Sequence, residues 1–201
     1  LFLLYMFDYV DRMIITSLFP FIKAEWNLTD LQLGSLISAV YWLIVVLTIP
    51  VSILVDRWSR RRMIGTMAEI WSVATAAAAF TKSFPQLFFT RTIIGAGEAG
   101  YAPGGIAMIS AMYPKEKRSW MTGIWNASIP LGGAIGVALG GFIAAKWGWR
   151  AAFGIVAIPG FIIALLFFFI KDYKTVSLVK NGSGKLVNNG EENVKNVFED
   201  R

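Results

Sequence analysis

Arg91 and Glu98 are opposite charges set seven residues apart in Arg91-Thr-Ile-Ile-Gly-Ala-Gly-Glu98-Ala-Gly-Tyr-Ala-Pro103-Gly-Gly, an otherwise apolar and glycine-rich run. On a helix turning about 100° per residue they fall within roughly 20° of each other, about 10 Å apart along the axis. A second cluster lies near the start of the chain. Asp8 and Arg12 are four apart and can pair directly, while Asp11 lies one turn from Asp8 on a neighbouring face. Ionisable side chains at membrane depth are costly and normally face a bundle interior or a watery cavity. Three carboxylates against two guanidiniums leave at least one acid without a full-time cation, and Glu69 adds a further acid. A carboxylate in that position can take up and release a proton. Glu98 or Asp11 is the expected proton carrier, with Arg91 or Arg12 competing for it or for an anionic substrate. The competing reading is a static ion-pair network that only locks helices together.

The elements that must hold these charges are membrane helices. With 56% hydrophobic residues and a mean hydropathy of +0.57, the chain is too apolar for a typical soluble domain. Its net charge of +6 gathers in short links and forms no basic face, so nucleic acid is not an expected partner. There is no cysteine and no histidine, which excludes thiol nucleophiles, a disulfide framework and cysteine or histidine metal sites. Neither an HExxH pattern nor a serine elbow is present, so the chain is not read as an enzyme and no cofactor or metal is expected. Six apolar runs approach the ~20 residues that a helix needs to cross hydrocarbon. They are Phe2 to Ile22, Leu33 to Leu54, Met63 to Thr81, Gln86 to Met112, Trp120 to Ala145 and Ala151 to Ile170. The second, fifth and sixth carry no charge.

Thr29-Asp-Leu-Gln32 has capping-box spacing at the start of the second run. Gly132, Gly136 and Gly140 recur every four residues in the fifth run, and Gly95 and Gly97 crowd the fourth. Small residues so spaced let helix backbones approach closely, a packing device first of all. Pro103 and Pro130 fall inside runs and are expected to bend them. Arg57, Arg60, Arg61, Arg62, Lys115, Lys117 and Arg118 lie in alternate links, against Lys23, Lys82, Lys146 and Arg150 in the others. That asymmetry predicts a multi-pass protein of the plasma or inner membrane with both ends in the cytosol. Residues 1–170 read as one membrane domain, and 171–201, rich in Asn, Gly, Lys and Glu, as a disordered cytosolic tail. Leu1 is not a methionine, so the chain is expected to begin partway into its first helix.

Asp56-Arg57-Trp-Ser-Arg60-Arg61-Arg62 resembles the link between helices two and three of the major facilitator superfamily of secondary transporters. In that family the link forms a cytoplasmic latch, which Asp56, Arg57, Arg60 and Arg61 match, whereas Ser52 and Ser59 stand where its glycines would be. Arg91, Gly95, Gly97 and Glu98 resemble its fourth-helix signature, and Trp147-Gly-Trp-Arg150-Ala-Ala-Phe resembles its link into helix six. Asp11-Arg12 taken with Arg91 and Glu98 is most similar to the Spinster-like branch, whose members export lipid-like molecules. The organic-anion symporter branch, which takes up sugar acids, shares much of the fourth-helix pattern. The resemblance implies an all-α membrane fold of six transmembrane helices, arranged as two inverted three-helix repeats and forming half of a twelve-helix transporter. It implies proton coupling at Asp11 and Glu98, with Arg12, Arg91 and Asp8 beside them. The implied partners are a small organic solute, protons, the bilayer and a missing C-terminal half. The alternative is a non-transporting membrane scaffold that retains the latch and the packing glycines.

Overall fold

A computed structural model describes residues 1–57, 60–169, 178–180 and 186–188. The described residues are helical apart from one short strand pair. The helices are α1 (Phe2–Trp26), α2 (Asp30–Arg57), α3 (Arg60–Ala78), α4 (Phe84–Glu98), α5 (Tyr101–Met112), α6 (Lys115–Trp147) and α7 (Trp149–Phe167). The side chains of 55–61 are not among the described residues, so the latch motif Asp56, Arg57, Arg60 and Arg61 lies outside them.

Each boundary has a local cause. Asn27 ends α1 in the left-handed conformation (φ 52°, ψ 43°), which a short polar side chain tolerates better than most. Two residues later the Thr29 hydroxyl accepts from the Gln32 backbone N–H at 3.3 Å, and Gln32 Oε1 accepts from the Thr29 N–H at 2.9 Å. The reciprocal pair satisfies two donors where α2 begins. Pro85 stands in the first turn of α4, where the N–H it lacks has no helical acceptor.

The fourth apolar run is not one helix. It breaks at Ala99 and Gly100, so Glu98 is the last residue of α4 and Tyr101 the first of α5. Pro103 is the third residue of α5 and has no N–H to donate to the Ala99 carbonyl four residues back, so the break falls where the proline was expected to disturb the run. At the break the Ala99 carbonyl lies 3.4 Å from the Thr48 hydroxyl of α2, which also donates to Ile44 O at 2.6 Å. A side chain from a neighbouring helix thus faces backbone freed at membrane depth. In the segment whose composition reads as disordered, Leu178–Lys180 (β1) and Leu186–Asn188 (β2) pair antiparallel. The composition argument bears on a packed core, which three-residue strands do not need.

Packing pairs α1 with α6, α2 with α4 and α3 with α7, while α3 also meets α4 and α1 also meets α7. Glycines set the two tightest crossings. A Cβ on Gly136 would stand 2.5 Å from Val10 O of α1, and one on Gly95 would stand 2.5 Å from Val40 O of α2. Gly132 and Gly140 rest likewise on Met6 O and Ser17 Oγ of α1, so the four-residue spacing lays α6 along α1. Gly97 faces the Met67 carbonyl and Trp71 nitrogen of α3 at 2.8 Å each. Among the described residues three helical stretches are long and apolar enough to cross a membrane: Asp30–Leu54, Lys115–Trp147 and Trp149–Phe167, with hydropathies of 2.3, 1.7 and 2.1. They cover the three runs free of charge. Large apolar side chains such as Trp42, Val45, Ile49, Phe89, Phe142 and Leu166 lie on the outside, as a lipid-facing surface requires.

Candidate functional site

The acids and guanidiniums of α1 and α4 meet inside the bundle. Asp8 (0% exposed), Asp11 (1%), Arg91 (1%) and Glu98 (3%) are buried. Arg12 is the most open member, its side chain 11% exposed. Its guanidinium bridges two helices. Arg12 Nη2 donates to Asp8 Oδ2 at 3.1 Å along α1 and stands 2.7 Å from Glu98 Oε2 of α4. The second contact is an ion pair whose N–H direction is not aligned for a hydrogen bond, which is why Glu98 Oε2 still counts among the orphaned oxygens. Aromatic faces flank the guanidinium, with Tyr9 4.8 Å and Tyr41 5.4 Å away.

Asp11 points to a different neighbour. Its Oδ2 accepts a hydrogen bond from Thr75 Oγ1 of α3 at 2.8 Å, and Arg91 is the strongest charge acting on it. Asp11 and Glu98 both act electrostatically on the buried Arg91 guanidinium. The spacing argument placed Arg91 and Glu98 on one helix face, and both do point into the cluster. The ion-pair partner of Glu98, however, is Arg12, supplied by the other helix. Glu69 stays outside the cluster and is half-buried.

The network is incompletely satisfied. Among the described residues, Asp8 Oδ1, Asp11 Oδ1, Glu98 Oε1, Arg12 Nε and Arg91 Nε and Nη1 have no hydrogen-bond partner. Buried polar atoms are nearly always paired, so each of these groups calls for an explanation. Below the charges lies an aromatic layer. Tyr5 stacks on Trp125 at 4.3 Å and on Tyr101 at 5.5 Å, and Tyr101 meets Trp71 edge-on at 6.5 Å. Sequence reasoning passed over Thr75 and this layer. Four aromatics on four different helices carry no shared spacing, and a threonine in an apolar helix has no signature of its own.

A second polar group joins α1 to α7. Glu25 accepts from Trp149 Nε1 at 2.7 Å and from Arg150 Nη1 at 2.9 Å, and Arg150 Nε donates to the Thr81 carbonyl at 3.0 Å.

A bundle of apolar helices around a charged, part-satisfied interior defines an integral membrane protein of the solute-handling kind. The chain belongs to the major facilitator superfamily, whose family model it matches over residues 1–197. It is 28% identical over 173 residues to the "Hexuronate transporter" of Bacillus subtilis (strain 168), covering 86% of this chain and 41% of that protein. It is 31% identical over 150 residues to the "Probable sphingolipid transporter spinster homolog 1" of Arabidopsis thaliana, covering 75% of this chain and 30% of that protein. Among solved structures, a bacterial homolog of the human lysosomal transporter Spinster, inward-facing and unoccupied, superposes with a TM-score of 0.80 at 25% identity. That match covers 90% of this chain and 43% of the other. The chain thus spans 30–43% of the length of these relatives. These relatives are transporters and not enzymes.

Proposed function

We propose that this chain is the N-terminal half of a proton-coupled secondary transporter that moves a lipid-like or organic anionic solute by alternating access. The observation that carries the reading is the buried cluster of Asp8, Asp11, Arg12, Arg91 and Glu98, too costly to keep at membrane depth for packing alone. Glu98 or Asp11 takes the proton, and the guanidinium that loses its acid is then available to an anionic group. Arg91, with two donor nitrogens unpartnered, suits that anion best. A sugar acid and a phospholipid headgroup share this chemistry. The hexuronate and sphingolipid names of the two relatives span the same choice.

The proposed architecture is two inverted three-helix repeats, with α4 and α5 together forming the fourth span. Exchanging the first three spans with the last three carries the α1–α6 pair into α2–α4, and α3–α4 into α1–α7, while α3–α7 maps onto itself. A second half, six further helices, supplies the opposite wall of the substrate path. Both ends of the chain lie in the cytosol, by the distribution of lysine and arginine.

Flux tests the proposal. In proteoliposomes of the complete protein, a pH gradient drives accumulation of a sugar acid or a lysophospholipid, and an Arg91→Met variant loses it. Accumulation that ignores the gradient removes proton coupling, and Arg91→Met flux equal to wild type favours a scaffold role for the cluster.

A further inference from the structure

Thr75 is a buried hydroxyl with two acceptors in reach: Asp11 Oδ2 at 2.8 Å and its own helix carbonyl, Trp71 O, at 3.1 Å. A hydroxyl carries one proton and two lone pairs, so it donates to one of these at a time and can also accept. That makes it unlike the guanidiniums. Arg12 and Arg91 only donate, so neither can accept the O–H of a protonated acid beside it.

We propose that Thr75 is the positioning residue that lets Asp11 take and release a proton without moving. With Asp11 ionised, the Thr75 O–H donates to Oδ2. With Asp11 protonated, the carboxyl O–H donates to Thr75 Oγ1, and the hydroxyl turns to donate to the Trp71 carbonyl. In both states Oδ2 and the Thr75 hydroxyl stay hydrogen-bonded to each other, with Oδ1 unpartnered in each, and no helix shifts. The bond made is O–H on the carboxylate and the one broken is O–H on hydronium, which leaves as water. The charged groups around Asp11 come from α4, as Arg91 and Glu98, and from α1, as Asp8 and Arg12, while α3 offers the neutral Thr75. Protonation of Asp11 withdraws the charge that Arg91 faces, leaving its unpartnered nitrogens to an anion. Asp8 and Glu98 share Arg12 and meet no comparable hydroxyl within the hydrogen bonds of the described residues.

This inference rests on the proton-coupled reading and has its own readout. The complete protein, purified in detergent, is titrated by infrared difference spectroscopy, following the C=O stretch of protonated carboxyl groups in wild type, Asp11→Asn, Thr75→Val, Thr75→Ser and Glu98→Gln. The expected result is a titrating band that Asp11→Asn removes. Thr75→Val, which keeps the shape and drops the hydroxyl, moves the midpoint by about one pH unit, a tenfold change in proton affinity. Thr75→Ser, which restores the hydroxyl, titrates as wild type. The proposal is overturned if Thr75→Val titrates like wild type, or if Thr75→Val and Thr75→Ser shift alike. A band that survives Asp11→Asn and vanishes in Glu98→Gln also overturns it, and leaves proton coupling standing with Glu98 as carrier. No titrating band in any variant sinks both readings. Thermal melting of each variant separates a misfolded protein from a shifted titration.

Discussion

At the scale of single residues, the account turns on Arg12. One guanidinium holds Asp8 on its own helix and Glu98 on another, so its removal leaves two acids facing each other in the bundle. Deleting one partner of a buried ion pair typically costs about 3–5 kcal/mol, mostly as the penalty of the charge left behind. Arg12→Met should therefore lower the detergent melting temperature sharply, and Arg12→Met combined with Glu98→Gln should recover part of the loss. Additive destabilisation in that double variant would mean that the pair is not coupled. The Asp8–Arg12 contact was legible from its four-residue spacing, because helix geometry alone sets it. The Arg12–Glu98 pair and the Thr75–Asp11 bond were not, since both depend on how α1, α3 and α4 cross. No local spacing encodes a crossing.

At the scale of elements, glycine decides how closely helices lie. Gly136 and Gly141 are both on α6, yet an added Cβ meets Val10 O at 2.5 Å in the first case and only Ser17 Cβ at 3.9 Å in the second. Gly136→Ala should destabilise by roughly 1–3 kcal/mol through overpacking against a backbone carbonyl that cannot yield, while Gly141→Ala should be close to neutral. Equal melting temperatures for the two variants would contradict the crossing described. The periodicity of Gly132, Gly136 and Gly140 announced this contact in advance. The break after Glu98 was announced only by Pro103, which cannot donate to the Ala99 carbonyl, while the hydroxyl that faces that carbonyl comes from α2 and has no local signature.

The α1–α7 clamp adds a pH dependence at the same scale. Slight burial pushes the Glu25 carboxyl up, but the hydrogen bonds from Trp149 and Arg150 outweigh it and hold the group below its ordinary value. A depressed carboxyl contributes stability that is present above its unfolded value and lost as pH falls through the folded one. The melting-temperature advantage of wild type over Glu25→Gln should therefore be present at neutral pH and shrink below about pH 4. It should be small, since solvent screens an exposed pair. An advantage that grows on acidification would reverse the assignment.

At the scale of the whole molecule, the three apolar runs without charge are the ones whose helices, among the described residues, are long and apolar enough to cross a bilayer. α1 and α4 keep Asp8, Asp11, Arg91 and Glu98 inward, where the neighbouring helices shield them. Topology is directly testable because the chain holds no cysteine. Single cysteines at Lys82 and Lys117, both exposed, should react with an impermeant maleimide from opposite sides of the membrane, Lys117→Cys from the cytosol. Labelling of both from one side would refute the orientation.

The central claim is that the acids buried between α1 and α4 link solute movement to protons. Its most direct test compares two fluxes in the same proteoliposomes of the complete protein: accumulation driven by a pH gradient, and solute exchange at equal pH on both sides. Glu98→Gln and Asp11→Asn should remove the gradient-driven accumulation and, in at least one of the two, preserve exchange. Undiminished gradient-driven accumulation in both variants would contradict the account.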